Sequence, residues 1–200
     1  METQTSPTQA SPIQTSPTQP ATLQHFQLTP FDPLPVECNL SVGGQISRPT
    51  PETIQIHYQV TGDLNAVVIP QRTNPPVRRD ELWTTTCLEL FIGAKESTPY
   101  WEFNLSPNGD WNIYRLSAYR SNLTPDLAYQ DLANAIHSKA SQFELNVVCP
   151  IPADLKASPR LDVALCAVIQ FKQGPISYWA LNHGGAEADF HRRDGFVLGL

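Results

Sequence analysis

The stretch YWEFNLSPNGDWNIYR, residues 100–115, decides the fold because it contains two alternating runs with a turn between them. The Pro-Asn-Gly segment at 107–109 is typical of the loop of a β-hairpin. With Leu105 opposite Trp111, one face of the hairpin is apolar and the other carries amide, carboxylate and phenol groups. This register predicts the following directly opposed pairs: Asn104 with Asn112, Phe103 with Ile113, Glu102 with Tyr114, and Trp101 with Arg115.

The run TTCLELFI, residues 85–92, continues this pattern on the strand that precedes the hairpin. Its two leucines and Ile92 alternate with the other residues and face the apolar side, which places Glu89 on the opposite face. We therefore expect three neighbouring strands to bring one set of polar side chains to a common surface: Glu89, Glu102, Asn104, Asn112 and Tyr114.

The rest of the chain is also dominated by short strand patterns. TIQIHYQV at 53–60 alternates apolar and polar residues, and further strand-like runs occupy residues 143–148 and 161–170. A chain with 19 prolines and only 16% charged residues does not resemble a helical bundle. Only residues 125–140 have a spacing that predicts a short helix. The sequence therefore predicts an all-β fold, a two-sheet antiparallel β-sandwich of the jelly-roll type.

The beginning of the chain has a different composition. The segment QTSPTQ occurs twice within residues 1–20, where Glu2 is the only charged side chain. Such Pro/Ser/Thr/Gln sequence has too few apolar residues to form a core, so we predict a disordered N-terminal tail. We expect residues 1–25 to be this tail and residues 26–200 to form a single β-sandwich domain.

Charge and hydropathy argue against two classes of partner. A net charge of -6 and a pI of about 5.3 provide no basic excess for the phosphates of a nucleic acid. No run approaches the roughly 18 apolar residues that span a bilayer, and the N-terminus lacks a secretory pattern. We therefore expect a cytoplasmic protein without a membrane partner.

Three of the four scattered cysteines lie in strand-like runs, which predicts buried free thiols. A disulfide would require an oxidising compartment.

The polar surface of the three strands indicates a ligand site. Amide and carboxylate groups exchange hydrogen bonds with sugar hydroxyls, and an aromatic plane covers the apolar face of a sugar ring. We therefore predict a noncatalytic module that binds a carbohydrate or another small polar ligand. Three alternatives stay open: a plain solvent-facing side of the sheet, a glycoside-active enzyme that uses Glu89 and Glu102 as acid and base, or a surface for a protein partner.

Three segments together resemble a known family: RRDELWTTTCLELFIG at 78–93, the hairpin at 100–115, and SYWALNHGGAEADFHRRDGFVL at 177–198. They are similar to DOMON-like domains related to family 9 carbohydrate-binding modules, in an uncharacterised bacterial, cyanobacterial-type branch. The most specific matches are the W-x5-E-L-F pattern that begins at Trp83 and the F-H-x-x-D pattern that begins at Phe190. The resemblance implies a β-sandwich that binds sugars, or haem in some members, with calcium as an occasional structural ion.

The candidate site follows from both the residues and the resemblance. Haem-binding members use Met and His as ligands, and the only methionine here is Met1, so we expect no haem, no other cofactor and no metal. Two tryptophans fall on the apolar face of the hairpin, which leaves Trp83 and Trp179 as rim candidates. The arginine pairs at 78–79 and 192–193 would suit an acidic sugar, although pairing with nearby acidic residues is the favoured role. The predicted ligand-binding residues are Trp83, Arg79, Glu89, Glu102, Asn104, Tyr114 and His191.

Overall fold

The computed structural model describes residues 22–34 and 38–200, and most of its regular structure is β-strand. The helical segments are short: a one-turn α-helix at Ala153–Lys156 and 3₁₀ turns at Leu64–Ala66, Leu82–Thr84 and Arg193–Gly195. In chain order the strands are β1 (Gln24–Gln27), β2 (Thr29–Pro30), β3 (Leu40–Thr50), β4 (Thr53–Gly62), β5 (Cys87–Ala94), β6 (Tyr100–Leu105), β7 (Trp111–Leu116), β8 (Thr124–Pro125), β9 (Asn134–Lys139), β10 (Gln142–Pro150), β11 (Leu161–Gln170), β12 (Ile176–Ala180) and β13 (Leu198–Gly199).

These strands form two sheets in which all neighbours are antiparallel. The smaller sheet has the order β1-β3-β4-β10-β9. The larger sheet has the order β2-β12-β11-β5-β6-β7-β8, and β13 pairs with the beginning of β11. The predicted all-β fold with two antiparallel sheets is confirmed.

The β6–β7 hairpin has the predicted register. Leu105 lies opposite Trp111, and the four pairs that follow are those expected from the sequence. Gly109 in the connecting turn has a φ of 100°, in the left-handed region that favours glycine. On the other side of β6, Glu89 of β5 lies opposite Asn104. The common polar surface of β5, β6 and β7 is therefore confirmed.

The apolar faces of the two sheets pack together as the main core. Alternating residues of β4, such as Ile54 and Ile56, pack there with Leu90 of β5. The Tyr58 hydroxyl crosses the core and donates to the backbone carbonyl oxygen of Glu89 at 2.6 Å. This hydrogen bond satisfies a fully buried hydroxyl and connects the smaller sheet to the strand that carries the first predicted carboxylate.

The short helix predicted at residues 125–140 is wrong. The segment contains β9, which pairs with β10 at the edge of the smaller sheet. The spacing of Leu127 and Leu132 was part of the helical pattern, but the two side chains have different environments. Leu127 is 71% exposed and Leu132 only 6% exposed. Backbone hydrogen bonds to an available strand edge decide the structure of such a weakly patterned segment.

The sheet begins earlier than the predicted domain boundary. β1 starts at Gln24 and pairs with β3, so the last residues of the predicted 1–25 tail belong to a strand. Residues 1–21 of that predicted tail lie outside the described residues.

The cysteines have the predicted environment. All four are free, and the three in strands are buried, whereas Cys38 is half-buried. Across residues 22–34 and 38–200, no helix has the length and apolar character that a bilayer span needs.

The outer face of the larger sheet is covered by segments that lie outside the sheet. Trp83 from a 3₁₀ turn packs against Tyr114, and the C-terminal Phe190 and Phe196 pack against Phe91. As a result, the polar residues of the three strands are almost completely buried. This burial overturns the alternative in which the polar surface is a plain solvent-facing side of the sheet.

Candidate ligand-binding site

A pocket of about 260 Å³ lies between the outer face of the larger sheet and the segments that cover it. A wider depression of about 450 Å³ lies on the smaller sheet, but no carboxylate, lysine or arginine lines it. The smaller pocket therefore combines enclosure with charge. The residues that line it are Trp83, Glu89, Glu102, Arg120, Leu123, Val168, Tyr178, Ala188, Phe190 and His191.

Two carboxylates are placed in this pocket by the pairing of β5 with β6. Glu89 lies opposite Asn104, which is two residues beyond Glu102, so all three side chains share the outer face. Glu89 is only 2% exposed and Glu102 only 4%. The Asn104 amide donates from Nδ2 to Glu102 Oε1 at 2.8 Å. The remaining buried oxygens, Glu89 Oε1 and Glu102 Oε2, have no hydrogen-bond partner among the described residues.

Burial and mutual repulsion favour the protonated form of both carboxyls. Burial raises the pKa of Glu89 well above its usual range, and the neighbouring charge of Glu102 raises it further. Burial also raises the pKa of Glu102, to about 7, although the Asn104 amide and the Arg120 charge oppose this shift. Near neutral pH the two carboxyls therefore retain at least one proton between them.

His191 is the third ionisable group at the base of the pocket. Its Nε2 lies 4.0 Å from Glu102 Oε2, and its Nδ1 lies 2.9 Å from the Tyr100 hydroxyl. Burial and the Arg120 charge lower the pKa of His191 to about 4. A 4.0 Å separation is too long for a hydrogen bond, and the lowered pKa leaves the imidazole uncharged near neutral pH.

The Tyr100 hydroxyl positions the imidazole of His191. Its oxygen accepts from the Arg120 backbone N–H at 3.2 Å, and the hydroxyl forms a second hydrogen bond with Nδ1 of His191 at 2.9 Å. In the tautomer in which Tyr100 donates to Nδ1, the imidazole proton is on Nε2, the atom closer to Glu102. In that tautomer the pocket offers one imidazole donor beside two carboxyls.

Three aromatic side chains, Trp83, Tyr178 and Phe190, line the pocket together with the carboxyls. Phe190 and Tyr178 are in edge-to-face contact, with ring centroids 6.0 Å apart. Trp83 makes a similar contact with Tyr114 at 5.5 Å, and buried Leu82 belongs to the same 3₁₀ turn. A lining that combines a few polar groups with aromatic rings is typical of a small-molecule site.

One solved structure supports the architecture. No protein-family model matches the sequence, and no curated protein is similar to it. The structure is similar to that of a "putative carbohydrate-binding protein" from Bacteroides uniformis, with a TM-score of 0.60 and 16% sequence identity over 85% of this chain and 84% of the other. The likeness shows the fold alone.

Two other structures have lower scores. Both are of a family 9 carbohydrate-binding module from Caldicellulosiruptor kristjanssonii, one with cellotriose and one with glucose. The TM-scores are 0.47 and 0.42, and the identities are 9% and 8%. The alignments cover 80% and 78% of this chain and 72% and 73% of the module. Scores of this size support no argument about function.

The structure brings most of the predicted site residues together. Trp83, Glu89, Glu102 and His191 line the pocket, and Asn104 supports it from behind through its bond to Glu102. Tyr114 contacts Trp83 but does not itself line the pocket.

Tyr114 has a structural role beside the site. Its hydroxyl donates to Asp80 Oδ1 and accepts from Asn112 Nδ2, each at 2.8 Å. Arg78 donates to Asn112 Oδ1 at 2.6 Å from the other direction. This network holds the segment that precedes Trp83 in place. Tyr114 therefore helps to position Trp83 in the pocket and does not contact a ligand itself.

Two of the predicted rim residues lie elsewhere. Arg79 pairs with Asp110 at 2.9 Å beside the hairpin turn and does not line the pocket, because that carboxylate is completely buried and needs a cation. Trp179 is only 2% exposed and belongs to the core between the sheets, so its assignment to the rim is wrong. Strand alternation explains this result, since Tyr178 is the residue of β12 that faces the pocket.

Three lining residues, Tyr178, Phe190 and Arg120, were not among those predicted from the sequence. Tyr178 and Phe190 lie in the C-terminal segment that resembles the DOMON-like domains, and the alternation along β12 is the signal that distinguishes Tyr178 from Trp179. Arg120 had no such signal, because it lies in the loop after β7 with a positive φ of 50°. Among the described residues, no group of three potential metal ligands is found.

Proposed function

We propose that this domain is a noncatalytic module that binds a carbohydrate or a sugar derivative in the pocket of Glu89 and Glu102. We also propose that it is a DOMON-like domain of bacterial, cytoplasmic type, on the basis of the patterns that begin at Trp83 and Phe190. The Bacteroides uniformis protein of the same fold is described as carbohydrate-binding, which supports the first proposal.

One observation carries the proposal: two buried carboxyl oxygens in the pocket lack any hydrogen-bond partner in the described chain. A buried acceptor without a partner costs roughly 1–3 kcal/mol. Sugar hydroxyls are donors that fit between closely spaced acceptors, and the rings of Trp83, Tyr178 and Phe190 offer surface for the apolar face of a sugar. A polyhydroxylated ligand would thus satisfy both walls of the pocket.

A glycoside-active enzyme is the second candidate, because the two carboxyls lie on neighbouring strands of one pocket. Acid–base catalysis needs one carboxyl to be protonated while the other is ionised, so their pKa values must differ. Here burial raises the pKa of Glu89 well above its usual range and that of Glu102 to about 7. These pKa values are compatible with either function, so a hydrolysis assay has to decide between them.

The test combines calorimetric titration with a hydrolysis assay. Mono- and oligosaccharides, including glucose and cellotriose, are titrated into the full chain, and activated aryl glycosides are assayed in parallel. We expect binding without turnover. Replacing Glu89 or Glu102 by Gln keeps one acceptor and should weaken binding by about 1–3 kcal/mol. Glu52→Gln is the matched control, since its side chain is 69% exposed and lies far from the pocket lining.

The other outcomes separate the alternatives. Hydrolysis that disappears in both pocket variants and survives in Glu52→Gln would replace the binding module with a glycosidase. Absence of any bound sugar across the panel would overturn the proposal and favour a module that binds a protein partner.

A further inference from the structure

We propose that the pocket selects sugars that carry a free ammonium group, so that its preferred ligand is an amino sugar rather than the corresponding neutral sugar. The inference rests on the proposed function and names the class of carbohydrate. Its basis is that no cation among the described residues donates a hydrogen bond to the two buried carboxyls of the pocket.

Neither of the two candidate cations donates a hydrogen bond to the carboxyls. The Arg120 guanidinium donates from Nη2 to Asp189 Oδ1 at 2.8 Å, and its charge opposes the raised pKa of Glu102 only in part. The lowered pKa of His191 leaves the imidazole uncharged near neutral pH, and its Nε2 is 4.0 Å from the nearer carboxyl oxygen. Buried carboxylates need a paired cation or a proton, so the position of a cation is open to a ligand.

The arrangement of the acceptors suits an ammonium group. Glu89 and Glu102 are diagonal neighbours on adjacent antiparallel strands, a relation in which side chains are roughly 7–8 Å apart at their base and can converge on one small group. Each offers one oxygen without a partner. An ammonium has three donors and no acceptor, whereas each neutral hydroxyl has a single hydrogen. One ammonium can thus satisfy both orphaned oxygens.

The aromatic residues of the pocket favour the same ligand. Trp83, Tyr178 and Phe190 line the same pocket as the two carboxyls. Aromatic faces attract a cation electrostatically, and the attraction increases where water is excluded. The carboxyls and the aromatic rings therefore both favour a cation, and the Arg120 guanidinium of the lining is paired with Asp189.

The other titratable groups around the carboxyls stay neutral. Cys87 and Cys166 lie beside Glu89, and burial raises the pKa of both thiols. Burial also raises the pKa of Tyr100. When an ammonium binds near neutral pH, the proton that leaves the pocket must therefore come from Glu89 or Glu102. Proton release upon binding is a signature that a neutral sugar does not share.

The experiment compares sugars that differ only at one position. Glucose with glucosamine, galactose with galactosamine, and mannose with mannosamine are titrated into the full chain by calorimetry near neutral pH, and each N-acetylated amine serves as an uncharged control of similar shape. Titrations in two buffers of different ionisation enthalpy report the protons released. In at least one pair we expect the amine to bind roughly tenfold tighter than the neutral sugar, with proton release, because hydrogen bonds between charged groups are about twice as strong as neutral ones.

Variants connect the preference to the two carboxyls. Glu89→Gln and Glu102→Gln should each weaken binding of the amine more than binding of the neutral partner and thereby remove most of the preference. Glu187→Gln is the matched control, because it removes an exposed charge of the neighbouring loop that does not line the pocket, and it should keep the preference.

Each outcome decides the inference. Equal affinity within every pair, or a preference that persists in both pocket variants, would overturn the selection of amines and leave the carbohydrate module in place. If no sugar of any pair binds, the inference and the proposed function are both overturned.

Discussion

Replacing Glu102 by glutamine should stabilise the fold at and above neutral pH. The pKa of Glu102 is about 7 in the folded chain, against an ordinary value of 4.5. A carboxyl with the higher pKa in the folded state binds more protons when folded, so the free energy of unfolding falls as the pH rises from about 4.5 to about 7. The difference of roughly 2.5 pH units corresponds to a penalty of about 3 kcal/mol that is complete above pH 7.

Glutamine removes this penalty with little change of shape. Its amide oxygen can still accept the hydrogen bond that Asn104 makes at 2.8 Å. We therefore expect Glu102→Gln to unfold with a free energy about 3 kcal/mol above that of the parent at pH 8, and with almost the same value near pH 4. His191, with a pKa lowered to about 4, gives the opposite slope, with stability lost as the pH falls from about 6.5 to about 4. Since His191 is present in both proteins, its contribution largely cancels in the difference between their free energies of unfolding.

Urea unfolding across this pH range measures the effect. The exposed Glu52→Gln is the control and should change the free energy of unfolding by less than about 0.5 kcal/mol at every pH. A Glu102→Gln protein that is equally stable or less stable than the parent at pH 8 would refute the reasoning. That result would mean that the folded chain stabilises the ionised Glu102 carboxylate, as it would in an ion pair with His191.

Three further predictions concern positions around the site. Gly93→Ala should cost about 1–3 kcal/mol of unfolding free energy, because a Cβ at this position would meet the Arg193 guanidinium and displace it from its carbonyl partner. Tyr114→Phe should lower the same free energy by about 1–2 kcal/mol through the lost bond to Asp80, with sugar affinity nearly unchanged in calorimetry. In a thiol titration of the native protein, Cys38 alone should react quickly, since the other three cysteines are buried.

The contrary results are equally specific. Wild-type stability of the Gly93 variant would mean that the guanidinium is free to move. A large loss of sugar affinity in the Tyr114 variant, with unchanged stability, would make the phenol a ligand-binding group. Rapid reaction of a strand cysteine would show that its strand opens to solvent in the native state.

The hairpin and the two carboxyls were predictable because strand geometry is local. A Pro-Asn-Gly turn fixes the register, and the two-residue period then assigns Glu102 and Asn104 to one face without knowledge of the rest of the fold. The helix predicted at 125–140 failed for the opposite reason. Its residues have weak local preferences, and the structure of the segment depends on β10, an edge that no local pattern reveals.

The enclosure of the site could not be predicted, because it depends on contacts between parts of the chain that are distant in sequence. Phe190 and His191 reach the outer face of β5 and β6 from about a hundred residues away, with the His191 ring centroid 5.3 Å from that of Phe91. Without this cover, Glu89 and Glu102 would be ordinary solvated acids on a polar sheet face. With it, they lose water and retain protons. The C-terminal segment thus converts a polar face of the sheet into a buried pocket whose two carboxyls retain protons.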